Sequence, residues 1–192
     1  MSNKTALRQV LRRQRATLDP LTAAAETAVT VALAWEIIHR LAVDHLASYV
    51  ASGSELTLTT LHDRWWALGR PLWLPRVVDD TTLTWHPVRS EAELSPGSFG
   101  ILEPNPAWIP ARPLPAGTLI LVPGVGFTVA GDRLGQGKGY YDRVLAAPDL
   151  GPAIGIGFSC QLVPDLPVEA HDRRLAGVIA GGRWLAGPAI PR

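Results

Sequence analysis

The sequence predicts an α/β fold, a single layered domain over residues 1–192 with a mainly parallel central sheet flanked by helices. Three observations carry that prediction. Residues 119–122 (Leu-Ile-Leu-Val) and 153–158 (Ala-Ile-Gly-Ile-Gly-Phe) are unbroken apolar runs of strand length, the pattern of strands buried on both faces. Segments with helical spacing of apolar residues alternate with such runs, as they do where helices cover a parallel sheet. The 192 residues are 47% hydrophobic, enough for one substantial core and too few for two.

In chain order, residues 3–18 read as an amphipathic helix. At 100° per residue Leu7, Leu11 and Leu18 share one stripe, and Lys4, Arg8, Arg12 and Arg15 share the adjoining one. A helix packed by its leucines therefore holds Lys4 and Arg8 at the edge of the core. Asp19-Pro20 breaks the chain, and the alanine-rich segment 21–40 forms a second helix. Residues 46–50 suit a buried strand ending in a Ser52-Gly53-Ser54 turn; residues 58–68 suit a helix with Leu61, Trp65 and Leu68 on one face, where the Trp65-Trp66 pair serves packing. Residues 71–75 and 83–88 read as strands, with Pro87 placing the second at an edge. Residues 95–115, rich in proline and glycine, form a long ordered loop over the site. Residues 161–167 connect to a last strand at 177–181, and 183–192 is a tail.

Composition narrows the function. A formal net charge of +1 gives no support to general attraction by nucleic acid or an anionic membrane, so any anion binding comes from local clustering. Cys160 is the only cysteine, which excludes an internal disulfide and fits a reducing compartment; its simplest role is that of a small buried hydrophobe. No opening stretch has a signal-peptide pattern, and no unbroken apolar run approaches the roughly 18 residues of a membrane span. The expectation is a cytoplasmic monomer acting on small molecules. His62 and His86 lack a second ligand at metal spacing and receive no metal role.

The informative stretch is residues 119–143. The apolar run ends at Pro123-Gly124, and Gly131, Gly135, Gly137 and Gly139 crowd the loop beyond it. Glycine lets successive backbone amides converge on an anion. Arg133 and Lys138 add positive charge at the rim, and Tyr140, Tyr141, Asp142 and Arg143 can start a helix whose first turn faces the ligand. The standard phosphate loops do not match: Lys138 is followed by Gly139 rather than Ser or Thr, and Gly135-Gln136-Gly137-Lys138-Gly139 lacks the dinucleotide spacing.

The segment PGVGFTVAGDRLGQGKGYYDR closely resembles the signature of the 5-formyltetrahydrofolate cyclo-ligase family. Lys4-Thr5-Ala6-Leu7-Arg8 resembles the family's KxxLR, residues 98–104 its aromatic-GIxEP turn, and the stretch from Gln161 to His171-Asp172 its Q…P…HD segment, all in the family's order. The resemblance implies a fold similar to the sugar-isomerase and CoA-transferase type, and an ATP- and Mg2+-dependent closure of 5-formyltetrahydrofolate to the 5,10-methenyl form. In that reaction the formyl oxygen attacks the γ-phosphorus, N10 attacks the activated carbon, and phosphate leaves.

The resemblance also implies a set of site residues. ATP falls to Lys4, Arg8, Arg133, Leu134, Gly135, Gln136, Gly137, Lys138, Gly139, Tyr140 and Tyr141, and the catalytic set is Lys138, Tyr140 and Arg133. The folate falls to Glu55, Thr57, Phe99, Gln136, Gly137, Lys138, Gly139 and Tyr140, and the metal to Asp142 and Asp172. In an ungapped register the family's pterin-holding acid falls on Thr57; Glu55, two residues earlier, points to the same side of an extended segment. Gln136 stands where an arginine is common. Two other functions stay open on the sequence: a non-catalytic folate- or nucleotide-binding paralogue, and a sugar-phosphate isomerase built on the phosphate loop alone.

Overall fold

A computed structural model describes residues 3–97, 100–169 and 172–186. Two helices open the chain, α1 (Asn3–Ala16) and α2 (Pro20–Arg40). Asp19 caps α2, its carboxylate accepting from the Thr22 backbone amide, and Pro20 sits where its missing N–H costs nothing. Next in the chain come β1 (Leu46–Ala47), α3 (Thr59–Ala67), β2 (Leu72–Val77) and β3 (Leu83–Val88). A small hairpin, β4 (Leu94–Pro96) with β5 (Leu102–Pro104), precedes β6 (Leu119–Pro123). A second small hairpin is β7 (Gly126–Phe127) with β8 (Arg133–Leu134), succeeded by α4 (Tyr140–Val144), β9 (Ala153–Gly157), β10 (Gly177–Ala180) and β11 (Arg183–Ala186).

Seven strands form one sheet in the order β11-β10-β9-β6-β1-β2-β3, parallel from β10 to β2, with antiparallel strands at both edges. The parallel, helix-covered sheet read from the sequence is present. Three local expectations are corrected. The strand at 46–50 ends at Ala47, because the chain turns there into the wall of the site. The loop at 95–115 contains the β4–β5 hairpin. The tail at 183–192 begins with a strand, β11, whose Val178↔Leu185 and Ile179↔Trp184 pairing closes the sheet edge. Pro87 lies on edge strand β3, as its lost donor requires, and Pro75 lies beyond the two-residue reach of β1.

Alternation along each strand splits the core. Leu46, Leu72, Leu74, Leu119, Leu121 and Ile154 face α2 and α3, while Ala47, Trp73, Ile120, Val122 and Val178 face the other side. By length and composition α2 would pass for a membrane span, contrary to the reading from apolar runs, because its alanine, valine, leucine and isoleucine residues raise the mean hydropathy while threonine and glutamate interrupt the run. Its Thr30, Val31, Ala34, Ile37 and Ile38 are buried against the sheet. Helix α1 docks elsewhere. Leu7 and Leu11 pack on Val125, Leu134 and Leu166, so α1 rides on the β7–β8 hairpin that leads into the glycine loop. Burying one such leucine stabilises by about 1.5–3 kcal/mol, and here the same contact fixes the basic stripe beside the loop.

Candidate functional site

The chain order reverses direction between β1 and β6: β2 and β3 extend the sheet on one side of β1, and β6, β9 and β10 on the other. The carboxyl ends of strands diverge at such a point and leave a crevice. A cleft of about 930 Å3 lies there, walled by α1, by residues 49–55 after β1, by Pro75 and Val77 of β2, and by residues 133–142.

The basic stripe of α1 faces this cleft through Lys4, Arg8, Arg12 and Arg15. Lys4 donates to Asp172 (2.9 Å) and pairs with Glu169 (3.0 Å). Burial alone would depress its ammonium, and these carboxylates outweigh that and hold it above the usual lysine value. Arg8 Nε donates to the Gly135 carbonyl at 2.8 Å. Arg15 is buried, bonded to Ser54 Oγ and the Gly124 carbonyl and 3.8 Å from Glu55.

The loop itself needs its glycines. Gly137 (φ 105°) and Gly139 (φ 68°) occupy left-handed conformations, and Gly139 sets the entry into α4. A Cβ on Gly135 would lie 2.6 Å from Arg133 Nη1. Arg133 is not a rim cation. Its side chain is 5% exposed, bonded to Asp142 at 2.6 Å and laid over the Tyr141 ring, so it acts as a strut beneath the loop. Its Nε is buried with no partner among the described residues. Leu134 sends its side chain into the core with Leu11, leaving only its backbone for a ligand. Lys138 is exposed and donates to Asp80 (2.6 Å), which raises its pKa. Tyr140 donates its hydroxyl to the Asp79 carbonyl (2.7 Å), and Arg143 donates to the Thr81 carbonyl (2.8 Å). The tip of the β2–β3 hairpin thus grips the loop at three points. That tip is preformed: the Asp79 carboxylate accepts from Thr81 and Thr82. No local pattern in residues 78–82 marked it as part of the site.

On the opposite wall, Glu55 lines the cleft and accepts from Gln136 Nε2 (3.1 Å) and from the Ser52 amide (3.0 Å). Thr57 is exposed outside the cleft and bonds to Thr59. Of the two folate candidates on this segment, Glu55 lines the cleft and Thr57 does not; the chain after Glu55 turns Leu56 and Leu58 into the core, and Thr57 between them points out. Tyr49 lines the same wall with its hydroxyl donated to the Leu56 carbonyl, and burial holds its pKa well above the usual tyrosine value. Phe99, read as a folate-stacking residue, and His171 lie outside the described residues. Gln161 is a brace, its amide donating to the Gly124 carbonyl at 2.7 Å. His62 and His86 are buried on Ser48 and Ile109, and Cys160 is half-buried rather than buried, its thiol pKa pushed up by burial and by Glu26.

A cleft at the switch point of a parallel sheet, with clustered cations and a glycine loop on one side and a carboxylate beside Tyr49 on the other, is the arrangement of a small-molecule-binding α/β protein. The model of the 5-formyltetrahydrofolate cyclo-ligase family matches residues 1–181, and the chain belongs to that family of ATP-dependent ligases of folate one-carbon metabolism. It is similar to the 5-formyltetrahydrofolate cyclo-ligase of Mycolicibacterium smegmatis, 32% identical over 146 residues, 73% of this chain and 75% of the relative. It is also similar to that of Haemophilus influenzae, 29% identical over 180 residues, 91% and 96% of the two chains. The NMR structure of Aquifex aeolicus 5,10-methenyltetrahydrofolate synthetase shares the fold with a TM-score of 0.81 at 26% identity, over 100% of this chain and 96% of that one.

Proposed function

We propose that this chain closes 5-formyltetrahydrofolate to 5,10-methenyltetrahydrofolate with ATP and Mg2+, releasing ADP and phosphate. The observation that carries this reading is that the glycine loop, its cations and Glu55 line one continuous cleft of about 930 Å3. An amide oxygen is a poor leaving group, and phosphorylation turns it into a good one. The formyl oxygen attacks the γ-phosphorus, whose bond to ADP breaks. N10 then attacks the formyl carbon and loses its proton, and the carbon–oxygen bond breaks to release phosphate.

The protein's share is positioning and charge neutralisation. Backbone amides of residues 135–139 cradle the phosphates, and Arg8 and Lys4 flank them from α1. Lys138 exchanges Asp80 for a phosphate oxygen, and Tyr140 exchanges the Asp79 carbonyl for the formyl and N10 region. Arg133 holds the loop in shape from below. Glu55 accepts hydrogen bonds from the pterin. The donor chemistry fits Mg2+: Asp142 and Asp172 line the cleft, and this ion takes one or two carboxylates with phosphate and water. No group of three metal-ligating side chains occurs among the described residues, so phosphate and water would complete its shell. When bound, the ion supplies charge neutralisation at the phosphates.

The test is purified protein with 5-formyltetrahydrofolate, ATP and Mg2+, following methenyl product by its near-ultraviolet absorbance and ADP beside it. One-to-one products dependent on both substrates are expected. Both ligands binding without turnover would replace this reading with the non-catalytic paralogue.

A further inference from the structure

Most cations that line the cleft already have a carboxylate. Lys4 faces Asp172 and Glu169, Arg15 faces Glu55, Arg133 faces Asp142 and Lys138 faces Asp80. Arg8 and Arg12 differ: among the described residues their guanidinium groups bond only to neutral oxygens. Arg8 takes the Gly135 carbonyl, and Arg12 takes Gln136, through Nε to Oε1 (2.9 Å) and through Nη2 to the backbone carbonyl (3.2 Å). The two arginines lie one turn apart on α1 and straddle the Gly135-Gln136-Gly137 strip. The cleft's uncompensated positive charge is thus concentrated on this pair. Arg12 Nη2 also donates to Gln136 Oε1 (2.5 Å), so Arg12 keeps its Nη1 group, and Arg8 both of its Nη groups, for an incoming anion such as a phosphate oxygen.

We propose that Arg12 is a further phosphate-contacting residue that closes a guanidinium clamp with Arg8 on the polyphosphate chain, and that Gln136 is its positioning residue. The clamp rests on the nucleotide reading above. Gln136 places Arg12 over the loop without neutralising it, since an amide accepts the hydrogen bond and carries no charge. Its own Nε2 donates to Glu55, so the same amide keeps that carboxylate off Arg12. The loop residue itself carries no cation, and α1 delivers one from the neighbouring helix.

The test uses calorimetry with inorganic tripolyphosphate and with ATP, beside steady-state kinetics, on wild type, Arg12→Ala, and Arg12→Ala combined with Gln136→Arg. Loss of a charge-assisted contact to phosphate predicts weaker tripolyphosphate binding and a higher KM for ATP, each by about tenfold, in Arg12→Ala. The KM for the folate and kcat should stay within about twofold, because the contact is made equally in ground and transition states. Returning the cation to the loop through Gln136→Arg should recover most of the affinity, an outcome that a merely structural tether between α1 and the loop does not produce. Wild-type affinity in Arg12→Ala, or no recovery in the double variant with an unchanged melting temperature, overturns the clamp and leaves the nucleotide reading standing. Failure of wild type to bind either probe overturns both.

Discussion

Two ion pairs in the same loop share one distance and have opposite consequences. Arg133 and Asp142 meet at 2.6 Å with 5% and 21% of their side chains exposed, and Lys138 and Asp80 meet at 2.6 Å with 50% and 82% exposed. Burial, not separation, sets what a pair is worth. Removing one partner of a buried pair strands a desolvated charge, whereas an exposed pair trades one partner for water, salt or a ligand at little cost. The loop uses the first to hold its shape and leaves the second exchangeable.

The comparison breaks most directly at Asp142. Asp142→Ala strands the Arg133 guanidinium and should cost about 3–5 kcal/mol in urea unfolding without ligands. Arg133→Met combined with Asp142→Asn should cost less than Asp142→Ala alone, and equal losses would refute the strut. The same rule governs titration. His62 is buried behind β1 and burial lowers its pKa from 6.5 to about 4. The unfolded chain takes up that proton as pH falls below 6.5 and the folded chain only near 4, so acid favours unfolding. The contribution is complete above pH 6.5 and lost progressively down to about 4, at most about 3 kcal/mol by linkage. Comparing wild type with His62→Gln over that window isolates it; parallel stability curves would show that His62 titrates normally.

The exposed pair should act on the reaction and not on the fold. Lys138→Ala is expected to lower kcat on the order of 100-fold while leaving the urea midpoint unchanged. A shifted midpoint at unchanged kcat would reverse the assignment. Smallest is Asp80→Asn, which removes the competitor for Lys138 and should lower the KM for ATP about twofold at low salt, a difference that vanishes as salt screens the wild-type pair. Equal KM values at low salt would mean that Asp80 does not compete.

The sequence carried the sheet because its signals are local. Residues 119–122 and 153–158 have nowhere to go but a doubly covered strand, and the stripe Lys4, Arg8, Arg12 and Arg15 arises from helical periodicity alone. Glu55 was legible only as a rival to Thr57: the family resemblance put the pterin-holding position on Thr57, two-residue spacing put Glu55 on the same side, and the inward turn of Leu56 and Leu58 separated them. The β11 strand was missed because four residues with one tryptophan and two small turn glycines before them carry little periodicity, and the strand depends on a partner edge at β10.

Charge placement separates what the chain dictated from what the fold decided. The residues at 131–143 determined that a glycine-rich loop carrying cations exists, since glycine density and side-chain charge act over a few bonds. Which of its cations stays exposed was decided only when α1 docked on Leu134 and Val125, Arg133 sank onto Asp142, and the tip at 78–82 reached Lys138. Those contacts join residues far apart in sequence, and desolvation, which sets the strength of each charge, is a property of the packed surroundings and not of the residue that bears it.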